Sequence, residues 1–175
     1  MEEKSVDIVI ATDFFPELYR DYRVVQLYRD KFNVITTKDH PLLEKRVNGK
    51  LSIYDIKGYP LLMPDRKAYG PMAAFFQNFV PPEIRSDDTV EYYQDIDSAV
   101  ARTIDGYVGF SSEHNRDIYS DMIEFTPLSD ADTSYPVSAF VSLDQAKSSE
   151  LTHCADELQD IAKQLAKQAS VLSGE

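Results

Sequence analysis

Histidine and cysteine, the residues that most often bind zinc or act as nucleophile and base, are few and scattered in this sequence. His40, His114 and His153 fall in different predicted elements, and none belongs to a His-x-x-x-His pair. Cys154 follows His153, but adjacent helix residues point in different directions and Cys154 lies on an apolar stripe. We therefore expect neither a zinc site nor a catalytic dyad.

Other catalytic and cofactor motifs give no stronger signal. The sequence has no Gly-x-Ser-x-Gly elbow and no phosphate-binding glycine loop. Gly106 and Gly109 lack the third glycine of a dinucleotide fingerprint. Paired acids such as Asp87 and Asp88 are frequent in so acidic a chain, so their proximity carries little information. We predict no catalytic residue, no bound metal and no cofactor.

Residues 64–71 (PDRKAYGP) are the most suggestive local feature. They leave a predicted strand and enter a predicted helix, and ligands of open α/β sheets gather at the carboxyl ends of strands. A helix N-terminus there would offer amide protons to an anion, and Arg66 and Lys67 would add positive charge. The alternative interpretation is an ordinary solvated loop.

The elements that must position such a site alternate between strand and helix. Short apolar runs predict strands, and apolar residues three and four positions apart predict helices. Several strands are continuously apolar, which favours an α/β fold with parallel sheet. The predicted strands cover 6–10, 22–28, 32–37, 59–63, a short strand at Ile84, 106–110, 122–126 and 135–141. The predicted helices cover 39–44, a brief helix that starts at the Ser52–Asp55 capping box, 71–79, a short turn from Ser111–Ser112 to Asn115, and 151–172; Asp39 caps the first of them. A further helix is predicted after a cap at Ser86 or Asp87, with Tyr93, Ile96, Val100 and Ile104 on one face.

Composition and charge argue against a nucleic-acid-binding, membrane-spanning or exported protein. The net charge is −12, and the acidity is C-terminal: residues 1–85 carry 13 Lys/Arg against 12 Asp/Glu, and residues 86–175 carry 5 against 18. Such a surface repels the phosphate backbone, so we expect no nucleic-acid binding by this chain. No apolar run is long enough for a membrane span, no signal peptide is visible, and a single cysteine excludes an internal disulfide. A cytoplasmic globular protein is expected.

The order of these motifs resembles the effector-binding domain of LysR-type transcriptional regulators. The resemblance rests on residues 5–10 (SVDIVI), on 32–42, on 51–63 (LSIYDIKGYPLLM), on the glycine-containing strand in 100–110, and on the turn 125–130 (FTPLSD). Each motif alone is weakly specific, but together the motifs run through most of the chain in the family's order. The resemblance implies no catalytic residue.

The resemblance implies a periplasmic-binding-protein-like (type 2) α/β fold with two lobes and an effector held in the cleft between them. On this mapping the second lobe is residues 31–117, and residues 1–30 and 118–175 form part of the first. The implied effector-binding residues follow three strands: Thr12, Asp13, Met63, Pro64, Asp65, Arg66, Lys67, Tyr69 and Ser111. A small, anionic effector is expected.

The departures from the family shape a second hypothesis. The helix-turn-helix, the linker helix and the opening portion of the first lobe are absent, and Ser111-Ser112 stands where the family commonly has Leu-Pro. An incomplete first lobe would expose sheet edge, which pairing with another chain would cover. We therefore expect a homo-oligomer. The alternative function is a protein interaction or dimerisation module that has lost ligand binding, and an enzyme is the third choice.

Overall fold

The computed structural model describes residues 8–14, 20–85, 89–143 and 148–173. The chain forms two compact units. Unit 1 comprises residues 1–30 and 135–175, and unit 2 comprises residues 31–134. The second boundary lies at 134/135, whereas the sequence-based division placed it at 117/118. The difference arises because strand β6, Ile123–Thr126, pairs with the second half of β2 and therefore belongs to unit 2.

Unit 1 is built around a small antiparallel sheet. Strand β1 (Ile8–Thr12) pairs with β7 (Ser134–Ser142), and β7 also neighbours β2 (Tyr22–Thr37). Helix α5 (Ser148–Ser173) lies against this sheet. Val25, Ala139, Val141, Leu151 and Ala155 form the buried cluster between helix and strands. Leu151 and Leu158 of the apolar stripe that predicted this helix therefore pack on the sheet, whereas Ile161 of the same stripe is 52% exposed.

Strand β2 is continuous, so of the two interpretations that the polar residues 29–31 favour in the sequence, a turn or a change of sheet, the turn is wrong. Asp30 lies in the middle of the strand and is only 7% exposed. Its Oδ2 accepts a 2.9 Å hydrogen bond from the Tyr135 hydroxyl. A buried carboxylate is tolerated where it is hydrogen-bonded, so a charge in this position does not end the strand.

Unit 2 contains a mixed sheet. Strands β3 (Leu61–Pro64) and β4 (Val90–Tyr93) are parallel, and a parallel bridge between Leu61 and Val108 places β5 (Gly109–Ser112) beside β3. Both β5 and β6 pair antiparallel with β2. The predicted parallel sheet is thus confirmed for the three central strands and wrong for β1, which runs antiparallel to β7.

Short helices cover both faces of this sheet. Helix α2 (Pro71–Phe79) packs Phe76 against Phe32 and Phe110 on one face. Helix α3 (Ile96–Thr103) packs Val100 against the cluster of Ile35 and Phe125 on the other. The remaining helical segments are α1 (Arg66–Tyr69), α4 (Arg116–Tyr119) and 3-10 turns at Pro41–Lys45, Ile53–Ile56 and Glu113–Asn115.

The predicted helix starts have mixed outcomes. The Ser52–Asp55 capping box is confirmed in full. The cap predicted at Asp39 is wrong, because His40 Nδ1 accepts the Leu42 amide and caps the turn instead. Ile84 lies in a turn and not in a strand, since its amide bonds to the Pro81 carbonyl. The predicted caps Ser86 and Asp87 lie outside the described residues.

Candidate functional site

A pocket opens in unit 2 where three strands end. β3, β4 and β5 run in the same direction, so their carboxyl ends meet at one edge of the sheet. The chain continues there as α1 after β3, as α3 after β4 and as the Glu113–Asn115 turn after β5. This edge is where open α/β sheets bind ligands. The pocket has a volume of about 60 Å³ and is lined by Phe32, Tyr69, Met72, Tyr93, Ile96, Phe110, Ser111, Ser112 and Asn115.

Two tyrosines form one wall of the pocket. The rings of Tyr69 and Tyr93 meet edge to face, with their centroids 5.4 Å apart. Burial raises the pKa of Tyr69, and the negative charge of Asp95 raises it further. Burial also raises the pKa of Tyr93, whose hydroxyl makes a long 3.4 Å hydrogen bond to the Phe110 carbonyl. Both side chains are therefore neutral hydroxyl groups at physiological pH.

Two further lining residues carry a hydroxyl and a carboxamide. Ser111 is only 2% exposed, and its Oγ accepts a 3.2 Å hydrogen bond from Asn115 Nδ2. The Ser111 proton and the Asn115 carbonyl oxygen have no protein partner in the described part of the chain. These groups leave one donor and one acceptor for a ligand.

A network of charged and polar side chains fixes the turn that carries Asn115. Glu113 accepts hydrogen bonds from Asn33 Nδ2 and from Arg116 Nε, both at 2.5 Å. Burial acts to raise the pKa of Glu113, but the hydrogen bonds and charges of Arg116, Asn33 and Lys31 outweigh it and lower the pKa. Arg116 also bonds to the Phe125 carbonyl. The network ties the turn after β5 to strands β2 and β6.

The residues predicted after β3 occupy different positions. Met63 and Pro64 are buried within β3, whereas Arg66 and Lys67 are exposed on α1. The Asp65 carboxylate accepts hydrogen bonds from the Lys67 and Ala68 amides. The Lys67 and Ala68 amides at the N-terminus of α1 are thus already bonded within the protein, whereas α2, the helix predicted at 71–79, begins after Gly70 without a side-chain cap.

Among the predicted residues, Tyr69 and Ser111 are brought together as walls of one pocket. Thr12 ends β1 in unit 1, and Asp13 follows it. Asp13 Oδ1 is buried, and it finds no hydrogen-bond partner among residues 8–14, 20–85, 89–143 and 148–173. Burial raises the pKa of this carboxyl group. Its unused acceptor is compatible with the predicted role in binding.

Sequence reasoning missed most of the pocket lining: Phe32, Met72, Tyr93, Ile96, Phe110, Ser112 and Asn115. Tyr93 was assigned to a helix, but it ends β4. The run Val90-Glu91-Tyr92-Tyr93 followed by the cap Asp95 was the available signal, because such β-rich residues before a helix cap indicate a strand end.

Among the described residues, no helix is both long and apolar enough to cross a bilayer. Within the same residues, no group of three or more His, Cys, Asp or Glu side chains is placed to hold a metal ion.

Comparisons with known proteins identify the fold. No protein-family model matches the sequence, and no curated protein matches it. Solved structures do match. An OxyR variant from Corynebacterium glutamicum with H2O2 bound has a TM-score of 0.63 and 15% identity, covering 97% of this chain and 52% of that chain. The effector binding domain of a BenM variant has a TM-score of 0.67 and 13% identity, covering 84% and 67%.

A third structure extends the comparison. The CcmR regulatory domain from Synechocystis, in complex with 2-PG, has a TM-score of 0.67 and 15% identity, covering 93% of this chain and 76% of that chain. The chain spans about half the length of the OxyR structures that it matches. Its mixed α/β architecture is the periplasmic-binding-protein-like (type 2) fold, and the chain has the fold of the effector-binding domains of LysR-type transcriptional regulators.

Proposed function

We propose that this chain is a small-molecule-sensing domain of a cytoplasmic LysR-type transcriptional regulator and that it catalyses no reaction. The observation that carries the proposal is the pocket at the carboxyl ends of β3, β4 and β5, with hydroxyl and carboxamide groups on aromatic walls. Apolar walls with a few converging polar groups are typical of small-molecule sites. The pocket lining has hydroxyls but no histidine, cysteine or carboxylate to activate one as a nucleophile.

The solved structures support this proposal by analogy. BenM is described as having an effector binding domain, CcmR is bound to 2-PG and OxyR is bound to H2O2. On this proposal, Tyr69 and Ser111 contact the effector, and the roles of Thr12 and Asp13 stay predictions. The net charge of −12 makes direct binding of nucleic acid by this chain unfavourable.

A thermal-shift screen of cellular metabolites tests the proposal. A ligand that binds only the folded chain raises the melting temperature by mass action, and the rise grows with ligand concentration. We expect at least one small metabolite to do so, and Ser111→Ala to reduce the shift. A screen in which no metabolite stabilises the chain would contradict ligand sensing.

An anionic part of the effector would be contacted by Arg66 and Lys67. Both side chains are exposed, and neither forms an ion pair within 4.0 Å in the described part of the chain. We expect Arg66→Ala combined with Lys67→Ala to weaken binding of a carboxylate effector at least tenfold, which is about 1.4 kcal/mol. Calorimetric titration measures the change, with Lys57→Ala as the exposed-lysine control. Unchanged affinity would exclude these two cations from the site.

A second candidate function is a pairing module for another chain. Strand β1 is entirely apolar except for Thr12, and among the described strands it has one neighbour, β7. Large apolar side chains of unit 1 are exposed, with Ile10 at 59%, Tyr28 at 50% and Leu143 at 54%. An unguarded apolar edge favours strand pairing between chains.

Oligomeric state follows from the same surface. We expect a dimer or a larger assembly in solution at micromolar concentration, measured by light scattering after size exclusion. Ile10→Lys should shift the population towards monomer, because an exposed charge opposes edge pairing. A monodisperse monomer for the unsubstituted chain would contradict both the expected oligomer and the pairing module.

A further inference from the structure

We infer that the effector inserts an uncharged group, either a hydroxyl or a carboxamide, into the pocket at the carboxyl ends of β3, β4 and β5. The inference rests on the proposed function and names the chemistry of its ligand. The nine lining residues include no lysine, arginine, histidine, aspartate or glutamate. Six of the nine are aromatic or aliphatic, and the other three offer only neutral polar groups.

The electrostatic surroundings disfavour an anion in this pocket. Asp95 places negative charge near the Tyr69 hydroxyl, which is one reason why the pKa of Tyr69 is raised. Arg116, which follows the lining residue Asn115 in the sequence, is held by Glu113 through two hydrogen bonds. A carboxylate entering here would lose hydration without gaining a free counter-charge, and such burial is costly.

The hydrogen-bonding groups suit a neutral polar ligand. The Tyr69 hydroxyl has no hydrogen-bond partner within the described residues, so it can donate or accept. The Ser111 hydroxyl accepts from Asn115 Nδ2 and keeps its own proton to donate to a ligand. The Asn115 carbonyl oxygen is an acceptor. A ligand that both donates and accepts uses all three, whereas a carboxylate would leave the acceptor opposed by another acceptor.

The size of the pocket limits how much of the effector enters it. The volume of about 60 Å³ compares with roughly 10–15 Å³ for one water-sized sphere, so only a few non-hydrogen atoms fit. Arg66 and Lys67 lie outside the lining. An effector that also carries a carboxylate would therefore present it to those cations and insert its uncharged end into the pocket.

Acetamide and acetate test this inference, because they have nearly the same shape and differ in charge at neutral pH. The experiment follows the Ser111 and Asn115 amides and the Tyr69 ring by NMR while each compound is titrated into the full chain. We expect acetamide to shift these signals at concentrations at least tenfold below those that acetate requires. Ser111→Ala should weaken acetamide binding, whereas the Arg66→Ala and Lys67→Ala pair should leave it unchanged.

The outcomes separate this inference from the proposed function. Acetate binding at the pocket as well as acetamide would overturn the inference, even if metabolites stabilise the chain. Shifts by neither compound at these signals would also overturn it. Acetamide binding together with a metabolite screen that finds no ligand would support an uncharged subsite and count against a sensing role.

Discussion

Replacing Phe76 with alanine should lower the free energy of unfolding by about 3–5 kcal/mol. Phe76 is fully buried, and its ring lies 4.4 Å from that of Phe32 and 5.5 Å from that of Phe110, measured between centroids. The truncation leaves a cavity between α2 and the sheet that rigid strands cannot close. Urea unfolding followed by circular dichroism measures the loss.

The matched control for Phe76 is its exposed neighbour on the same helix. Gln77→Ala should change stability by no more than about 0.5 kcal/mol, because Gln77 faces solvent. Since Phe32 and Phe110 also line the pocket, Phe76→Ala should weaken ligand binding in addition to destabilising the fold. A loss below about 1 kcal/mol would show that α2 does not pack on the sheet as described.

Glu113→Ala should destabilise the chain by about 1–3 kcal/mol, because it removes the acceptor for a fully buried amide. Asn33 is 0% exposed, and its Oδ1 already lacks a partner among the described residues. Without Glu113, Asn33 Nδ2 would lose its 2.5 Å hydrogen bond as well. Glu124→Ala is the control: it removes an exposed ion pair with Arg46 and should cost less than about 1 kcal/mol.

The same network predicts a dependence on pH. The pKa of Glu113 is lowered in the folded state, so its ionised form stabilises the fold above the pKa that glutamate has in the unfolded chain. This stability is lost as the pH falls through the lowered value. The difference in unfolding free energy between the unsubstituted chain and Glu113→Gln should therefore be larger near pH 7 than near pH 3. Equal differences at the two pH values would contradict the ionised network.

Local patterns predicted the helices well and the strand pairing poorly. The Ser52–Asp55 capping box and helix 71–79 are confirmed because each depends on residues close in sequence. The continuity of β2 could not be predicted, since it depends on Tyr135 lying 105 positions from Asp30. A polar residue that a distant partner satisfies looks like a turn in the sequence alone.

In the candidate site, too, the features that depend on residues close in sequence were predicted and those that depend on strand pairing were missed. Tyr69 and Ser111 were predicted because each follows a strand that the sequence made visible, and a common position at the carboxyl ends links them. Tyr93 was missed because β4 is only four residues long and two of those residues, Glu91 and Tyr92, are exposed. Asn115 was placed in the turn after β5 but not assigned to the site. The charge network behind the pocket was also missed, since Asn33 and Glu113 meet only through the pairing of β2 with β5.

The division of the chain into one continuous and one discontinuous unit has a consequence for biosynthesis. Unit 2 lies within residues 31–134, so all of its strands can emerge from the ribosome and pair before the C-terminal segment is made. Unit 1 needs both residues 1–30 and residues 135–175, so β1 must wait for β7. During synthesis the apolar β1 is therefore the segment longest exposed to chaperones and to mispairing with other nascent chains.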